Sequence, residues 1–472
     1  MLSTLRKYAR GPVLTAPGPR SGDMLRAIGA IQRDPVGFLE HMAAQHGPVV
    51  QFPVPVPPSY FFADADSVRH VLVDNARAYD KQTMQYRGLA TLTGDGLLTS
   101  DAGAWRAARK VVQPAFHHAA VAAMRTSIEQ AADRVVASWN EPTIDLEAQM
   151  MRIALLAVGD TMFGADLSAE AEQLSSSTLS ALDAVVRRAQ RPWSAPLGVP
   201  TRANRSLNQA LRALDMSVDS LVSQRLASQT HSPDLLGLLI QAHMGEQPWM
   251  SFASASGDST PVESQQQRHR GQLQSATHRA FATPTAVRDE VVTFIVAGHE
   301  TVASGLTWSW QLLLQHPEVL AEMCGIEDNE QRERYARAVF EEALRLYPPA
   351  WLITRRSLQS DTIAGITIPQ GALVILSPWV THRDQRWWPE PHTFNPHRFL
   401  EDSDARRLAY LPFGVGQRMC IGREMALLEG AVVLARMCRQ VRLAARSPLD
   451  LRRHASVTLR PAEPVVVDVE HI

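Results

Sequence analysis

Apolar and polar positions along the chain follow two rhythms. From Val49 to Phe52 and again from Tyr60 to Phe62, short runs of β-branched and aromatic residues flank a turn carrying Pro53, Pro55, Pro57 and Pro58, which predicts a β-hairpin. From Asp64 onward the period lengthens. Apolar residues recur at three- and four-residue spacing over Thr126–Trp139, Met150–Met162, Leu207–Ala227 and Asp234–His243, each predicting a helix with one face toward a core. A longer apolar stretch runs from Ala286 to Gln315 and stops at Pro317; as one helix it would span roughly 45 Å. Ile363 to Leu376 returns to strand texture around a Gln370-Gly371 turn, and a strand-rich tail runs from Ser456 to Val469. Long helices with two small patches of sheet predict a mostly α protein with small β-sheets, built as a single large domain over residues 21–472.

Two stretches break the pattern. Residues 1–20 read as a basic, Pro-rich N-terminal tail, too short and too interrupted by Gly11 and Pro12 for a membrane span or signal peptide. Residues 245–284 are rich in Ser, Gly and Gln and too polar to offset their own ordering entropy, so they are expected to form a flexible surface insertion just before the longest helix.

Composition narrows the function classes. Of 472 residues, 45% are hydrophobic and 20% charged, ample for a core, and a net charge of −1 gives no reason to expect nucleic acid. Three cysteines, Cys324, Cys420 and Cys438, without a C-x-x-C pair, disfavour a disulfide framework or zinc ribbon and suit a soluble protein of the reducing cytoplasm. Gly94-Asp95-Gly96 lacks the third glycine of a dinucleotide fingerprint, so electrons for any redox reaction must come from another protein.

The chemistry gathers near the C-terminus. Phe413-Gly414-Val415-Gly416-Gln417-Arg418-Met419-Cys420-Ile421-Gly422 sets one cysteine in a glycine-rich loop that leads into an apolar helix from Ala426 to Arg436. The glycines allow a tight turn against a flat partner, and the helix N-terminus favours a thiolate, so Cys420 reads as a metal ligand. The run resembles the haem-binding signature of the cytochrome P-450 family, F-G-x-G-x-R-x-C-x-G, at every defined position. Three further motifs follow the family's order. Ala297-Gly298-His299-Glu300-Thr301 is similar to its oxygen-activation motif. Glu342-Ala343-Leu344-Arg345 is similar to its E-x-x-R pair, with Arg398 as third partner, although His397 stands where many relatives carry an acid. Trp105 and Arg109, four apart on one helical face, are donors suited to a carboxylate such as a haem propionate.

The resemblance implies a haem-thiolate monooxygenase of the bacterial type. Haem b would be held by Cys420 as axial iron ligand, with Phe413, Gly414 and Ala297 against the ring and Trp105, Arg109, Arg355 and Arg418 at the propionates; Arg356 adjoins Arg355, and either could serve. Thr301 and Glu300 would pass protons, while Glu342, Arg345 and Arg398 would form a structural triad. Phe294, Ala297, Leu352, Ile353 and Val457 would meet a lipophilic substrate such as a terpenoid, fatty acid or polyketide, with further contacts from the Pro192–Pro200 connection. The implied partners are O2 and a separate ferredoxin- or flavodoxin-type donor with its reductase, acting on a monomer; Arg106, Lys110 and Arg423 are candidates for the docking surface. A peroxide-driven peroxygenase, a non-oxygenating rearrangement enzyme and a haem-binding sensor are the alternatives, and the intact Glu300–Thr301 pair argues against the first two. His117, His118 and His299 read as ordinary residues.

Overall fold

A computed structural model describes residues 14–54, 57–189, 195–228, 232, 234–245, 281, 283–401 and 408–472. The 245–284 stretch therefore lies almost wholly outside the described residues, as do residues 1–13, Pro55 and the first part of the Pro192–Pro200 connection.

The fold is organised on one helix, Pro284–Gln315. Its start is fixed chemically: Thr283 Oγ1 accepts the Ala286 N–H at 3.3 Å and Pro284 occupies the first turn, where it needs no donor. His316 and Pro317 end it. Most of its 32 residues are buried, including Asp289, Glu290, His299 and Glu300, because helices cover it on several sides. Leu146–Phe163 packs along it most extensively, and Asn329–Leu346 crosses it near Phe340. Asn329–Leu346 in turn packs on Arg423–Gln440, which also rests on Arg125–Ala137. The helices expected over Thr126–Trp139, Met150–Met162, Leu207–Ala227 and Asp234–His243 form as Arg125–Ala137, Leu146–Phe163, Arg202–Ser228 and Leu235–His243.

The hairpin forms as expected, Val49–Phe52 antiparallel to Ser59–Phe62, and belongs to a larger sheet. Ser59–Phe62 pairs in parallel with Leu373–Leu376, which runs antiparallel to Ile353–Ser357, and Tyr79–Asp80 closes the far edge. Ile353–Ser357 carries no clean alternation, since Arg355 and Arg356 interrupt it, so it reads poorly as a strand from sequence alone. The tail forms two more small sheets: Arg453–Ala455 pairs with Leu459–Pro461, and Val466–His471 lies between Thr143–Asp145 and Val441–Ala445. Part of the N-terminal segment expected as a tail packs on the sheet instead. The amides of Thr15 and Ala16 donate to Gln51 Oε1 at 2.6 and 3.2 Å, and the Gln51 amide donates to Pro17 O. Among the described residues, no helix is long and apolar enough to cross a membrane.

Candidate functional site

A cavity of about 310 Å³ opens between the central helix and the cysteine loop. The loop is shaped by its glycines: Gly416 has φ +75°, and a Cβ there would stand 2.1 Å from the Leu72 carbonyl oxygen. The amide of Cys420 donates to Phe413 O at 2.9 Å, closing the loop so that the sulfur faces the cavity. Burial raises the thiol above its usual range, against the Gly422 N–H and the charges of Arg109 and Arg423. The Gly422 N–H at the helix start acts toward the thiolate, the direction expected from sequence, but burial outweighs it. A bound metal cation would remove that burial penalty.

From the central helix, Thr293, Phe294, Ala297, Gly298 and Thr301 line the same cavity. Phe294 stacks on Phe116, ring centroids 5.6 Å apart. Thr301 Oγ1 donates to Ala297 O at 2.8 Å, a side-chain bond back to the preceding turn. Gly298 has a packing reason as well as a cavity-facing one: a Cβ there would lie 3.1 Å from Val158 Cγ2 on the neighbouring helix. Glu300 does not line the cavity. It points to the C-terminal hairpin, where its Oε1 accepts from Thr458 Oγ1 at 2.6 Å, and burial pushes its carboxyl up to about 7. His299, fully buried, bonds through Nδ1 to Ile295 O at 2.7 Å.

One end of the cavity is cationic. Trp105, Arg109, Arg355 and Arg418 all line it. Arg418 lies 4.0 Å over the Trp105 ring and donates to Asp101 Oδ1 at 2.7 Å, while Arg109 donates to Met419 O at 3.1 Å, tying its helix to the cysteine loop. Arg355 faces inward, and Arg356 turns out to pair with Asp80. Sequence reading missed Lys81, which also lines the cavity, donates to Leu98 O at 2.8 Å and sits 4.8 Å over the Tyr86 ring. A lysine between Asp80 and Gln82 carries no pattern that would mark it. Burial, then the charges of Arg355 and Arg418, hold Lys81 well below its usual range, with Asp101 acting the other way. Also missed was Glu429 on the Arg423–Gln440 helix. It lines the cavity, neither carboxyl oxygen has a hydrogen-bond partner among the described residues, and burial alone raises it well above the carboxylate range.

Of the residues expected to meet substrate, Phe294, Ala297 and Ile353 line the cavity; Leu352 and Val457 are half-buried outside that lining.

Behind the site, Glu342, Arg345 and Arg398 meet in the interior. Arg345 Nε and Nη2 donate to the two Glu342 oxygens at 2.7 and 2.8 Å, and Arg398 Nε lies 3.4 Å from Glu342 Oε1. The remaining Arg345 donors bond the carbonyls of His382, Pro391 and Thr393. His397, in the position where many relatives carry an acid, pairs with Glu322 at 3.2 Å. His382 passes this order to the cysteine loop. Its Nδ1–H donates to Arg345 O and its Nε2 accepts from the Leu411 N–H, both at 2.8 Å, which only a neutral imidazole can do. Burial holds it neutral, pulling its pKa down to about 3.

These features suit an iron porphyrin. A lone thiol faces the mostly apolar cavity, and four cations crowd one end with Asp101 as the acid set against them, a surplus that two carboxylates of a bound group would offset. The comparisons agree. The family model for cytochrome P450 matches residues 12–466. Cyclooctatin synthase of Streptomyces melanosporofaciens is 30% identical over 91% of this chain and 89% of its own length. Pentalenene oxygenase of Streptomyces avermitilis is 28% identical over 91% of each. The crystal structure of CYP175A1 from Thermus thermophilus superposes with a TM-score of 0.75 at 31% identity, covering 96% of this chain and 99% of that one. On its fold, its site and these likenesses, the chain belongs to the cytochrome P450 family and is a haem-dependent oxidoreductase.

Proposed function

We propose that the protein is a cytoplasmic monooxygenase that inserts one atom of O2 into a C–H or C=C bond of a lipophilic small molecule of terpenoid type. Electrons come from a separate ferredoxin- or flavodoxin-type protein and its reductase. The observation that carries the reading is that Cys420 and Thr301 line one mostly apolar cavity. When bound, haem would supply the oxygen-activating chemistry, which a thiolate ligand to its iron would favour.

This chain's residues do the rest. Cys420 would hold the iron through its sulfur, and Trp105, Arg109, Arg355, Arg418 and Lys81, which line the same cavity, would take up the propionates. Phe294, Phe116, Ala297 and Ile353 offer an apolar surface that orients a hydrocarbon skeleton and excludes water. Thr301 holds a hydroxyl oxygen at the cavity wall, its own proton bonded to Ala297 O, where it accepts from and orders a water, and Glu300, next in the chain, is the acid that resupplies the proton. The terpenoid assignment draws on relatives named cyclooctat-9-en-7-ol 5-monooxygenase, 30% identical, and pentalenene oxygenase, 28% identical. Cysteines that are all unpaired support the cytoplasmic placement.

The test is a titration of the haem-loaded protein with a panel of cyclic terpenes, fatty acids and polyketides. Terpenes should shift the iron from low to high spin and yield oxygenated product only with reductant and O2. Cys420→Ser should abolish the red-shifted Soret band of the ferrous carbonyl complex; persistence of that band would place the ligand elsewhere.

A further inference from the structure

The buried side of Glu300 faces an uneven distribution of charge. Its carboxylate, 1% exposed, meets one cation among the described residues: Arg460 Nε stands 3.7 Å from Glu300 Oε1. That guanidinium is shared. Its Nη1 lies 3.6 Å from Glu147 Oε1 and its Nη2 lies 3.3 Å from Asp183 Oδ1. The three acids come from three helices, Leu146–Phe163, Ala171–Ala189 and Pro284–Gln315, and Arg460 reaches them from the hairpin strand Leu459–Pro461.

The acids do not compete equally. Asp183 also accepts from Ser456 Oγ at 2.7 Å, the half-exposed His454 stands 3.5 Å away, and the exposed Arg187 one turn along its helix lies 4.0 Å from its other oxygen. Burial opposes its charge, yet His454, Ser456 and Arg460 together hold it down to about 2. Of the three acids, Asp183 also makes the shortest contact with the guanidinium. Glu147 is pushed up by burial, with Arg460 and His454 pulling the other way and Asp145 adding to the push. For Glu300, burial leads, Thr458 and Arg460 lower, and Asp183 and Glu147 raise.

We propose that Arg460, Asp183 and Glu147 are positioning residues for Glu300: dividing one guanidinium among three carboxylates leaves Glu300 without a full counter-charge, so the fold keeps a proton stored there, beside Thr301. The C-terminal hairpin thereby sets the charge state of an acid on the central helix. This deepens the oxygenase reading and rests on it only for the use of the stored proton, not for the storage.

The storage is read without turnover. In the haem-loaded protein, the infrared carbonyl stretch of a protonated carboxylic acid, isolated as the difference between parent and Glu300→Gln, is followed with pH. Asp183→Asn removes a negative neighbour and releases Arg460 toward Glu300, so the midpoint should fall by at least a pH unit, a tenfold stronger acid. Arg460→Gln removes the neighbouring cation, so the midpoint should rise. A midpoint unmoved or raised in Asp183→Asn, or a Glu300 already ionised at pH 6 in the parent, would overturn the inference. If the shifts occur as stated and Glu300→Gln still couples reductant fully to product, the oxygenase role of Glu300 fails while the storage stands.

Discussion

Thr301 donates its hydroxyl proton to the Ala297 carbonyl one turn back, so toward the cavity its oxygen offers lone pairs. Replacing it with valine keeps the shape and removes that acceptor. Thr301→Val should bind haem and substrate as before yet divert most reductant to peroxide, several-fold less product per reductant consumed; unchanged coupling would remove Thr301 from proton delivery. Glu429 makes a thermodynamic prediction. An unfolded glutamic acid titrates near about 4.3. Burial raises Glu429 well above that, so the folded state keeps a proton that the unfolded chain releases as pH rises. Stability is therefore lost with increasing pH, by up to about 1.4 kcal/mol per unit, between the unfolded and folded values. Glu429→Leu should stabilise the protein at pH 8 more than at pH 5, measured by thermal unfolding at both. An equal effect at the two would mean that the carboxyl is ionised or solvated in the fold.

Elements hold these residues through contacts at their ends. The Asn329–Leu346 helix delivers Glu342 and Arg345 to the interior, and Arg345 then binds the segments that carry His382, Pro391 and Thr393. Arg345→Ala would leave Glu342 charged and stripped of its main partner at 0% exposure, a loss of about 3–5 kcal/mol. Because His382 links this cluster to Leu411, the variant should also lose haem on gel filtration faster than it loses helical circular dichroism. Simultaneous loss of both would mean that the cluster supports the whole fold and not the loop in particular. At this scale the sequence is legible where periodicity is long. Apolar spacing starts the central helix at Ala286 and the structure starts it at Pro284, because capping by Thr283 and the stop at Pro317 are written locally. Ile353–Ser357 is not legible as a strand: what makes it one is pairing with the distant Leu373–Leu376. The same limit applies to the site. Cys420 and Thr301 stand in dense motifs, whereas Lys81 and Glu429 reach the cavity only through the fold, and nothing in the Glu300 motif says that its side chain turns toward Thr458.

For the whole molecule, the face beside the cysteine loop is where a separate electron donor would approach. Arg106 and Lys110 lie exposed one helical turn apart on the Ala102–Val112 helix, whose Trp105 and Arg109 reach the cavity; Arg423, half-buried, is paired with Glu424. Reversing Arg106 and Lys110 together to glutamate should slow reduction by an acidic ferredoxin at least tenfold at low salt, with the gap narrowing as salt is added and the substrate-induced spin shift unchanged. A salt-independent rate, equal in parent and variant, would put the docking surface elsewhere. The parallel pairing of Ser59 with Leu373 has a consequence for biogenesis. A ribosome makes the N-terminal hairpin long before the strand that must lie beside it, so one backbone edge stays unsatisfied through most of translation. Chains truncated between these two points should aggregate through that edge, and recovery of native enzyme should depend on chaperones that shield it until synthesis has passed Leu376.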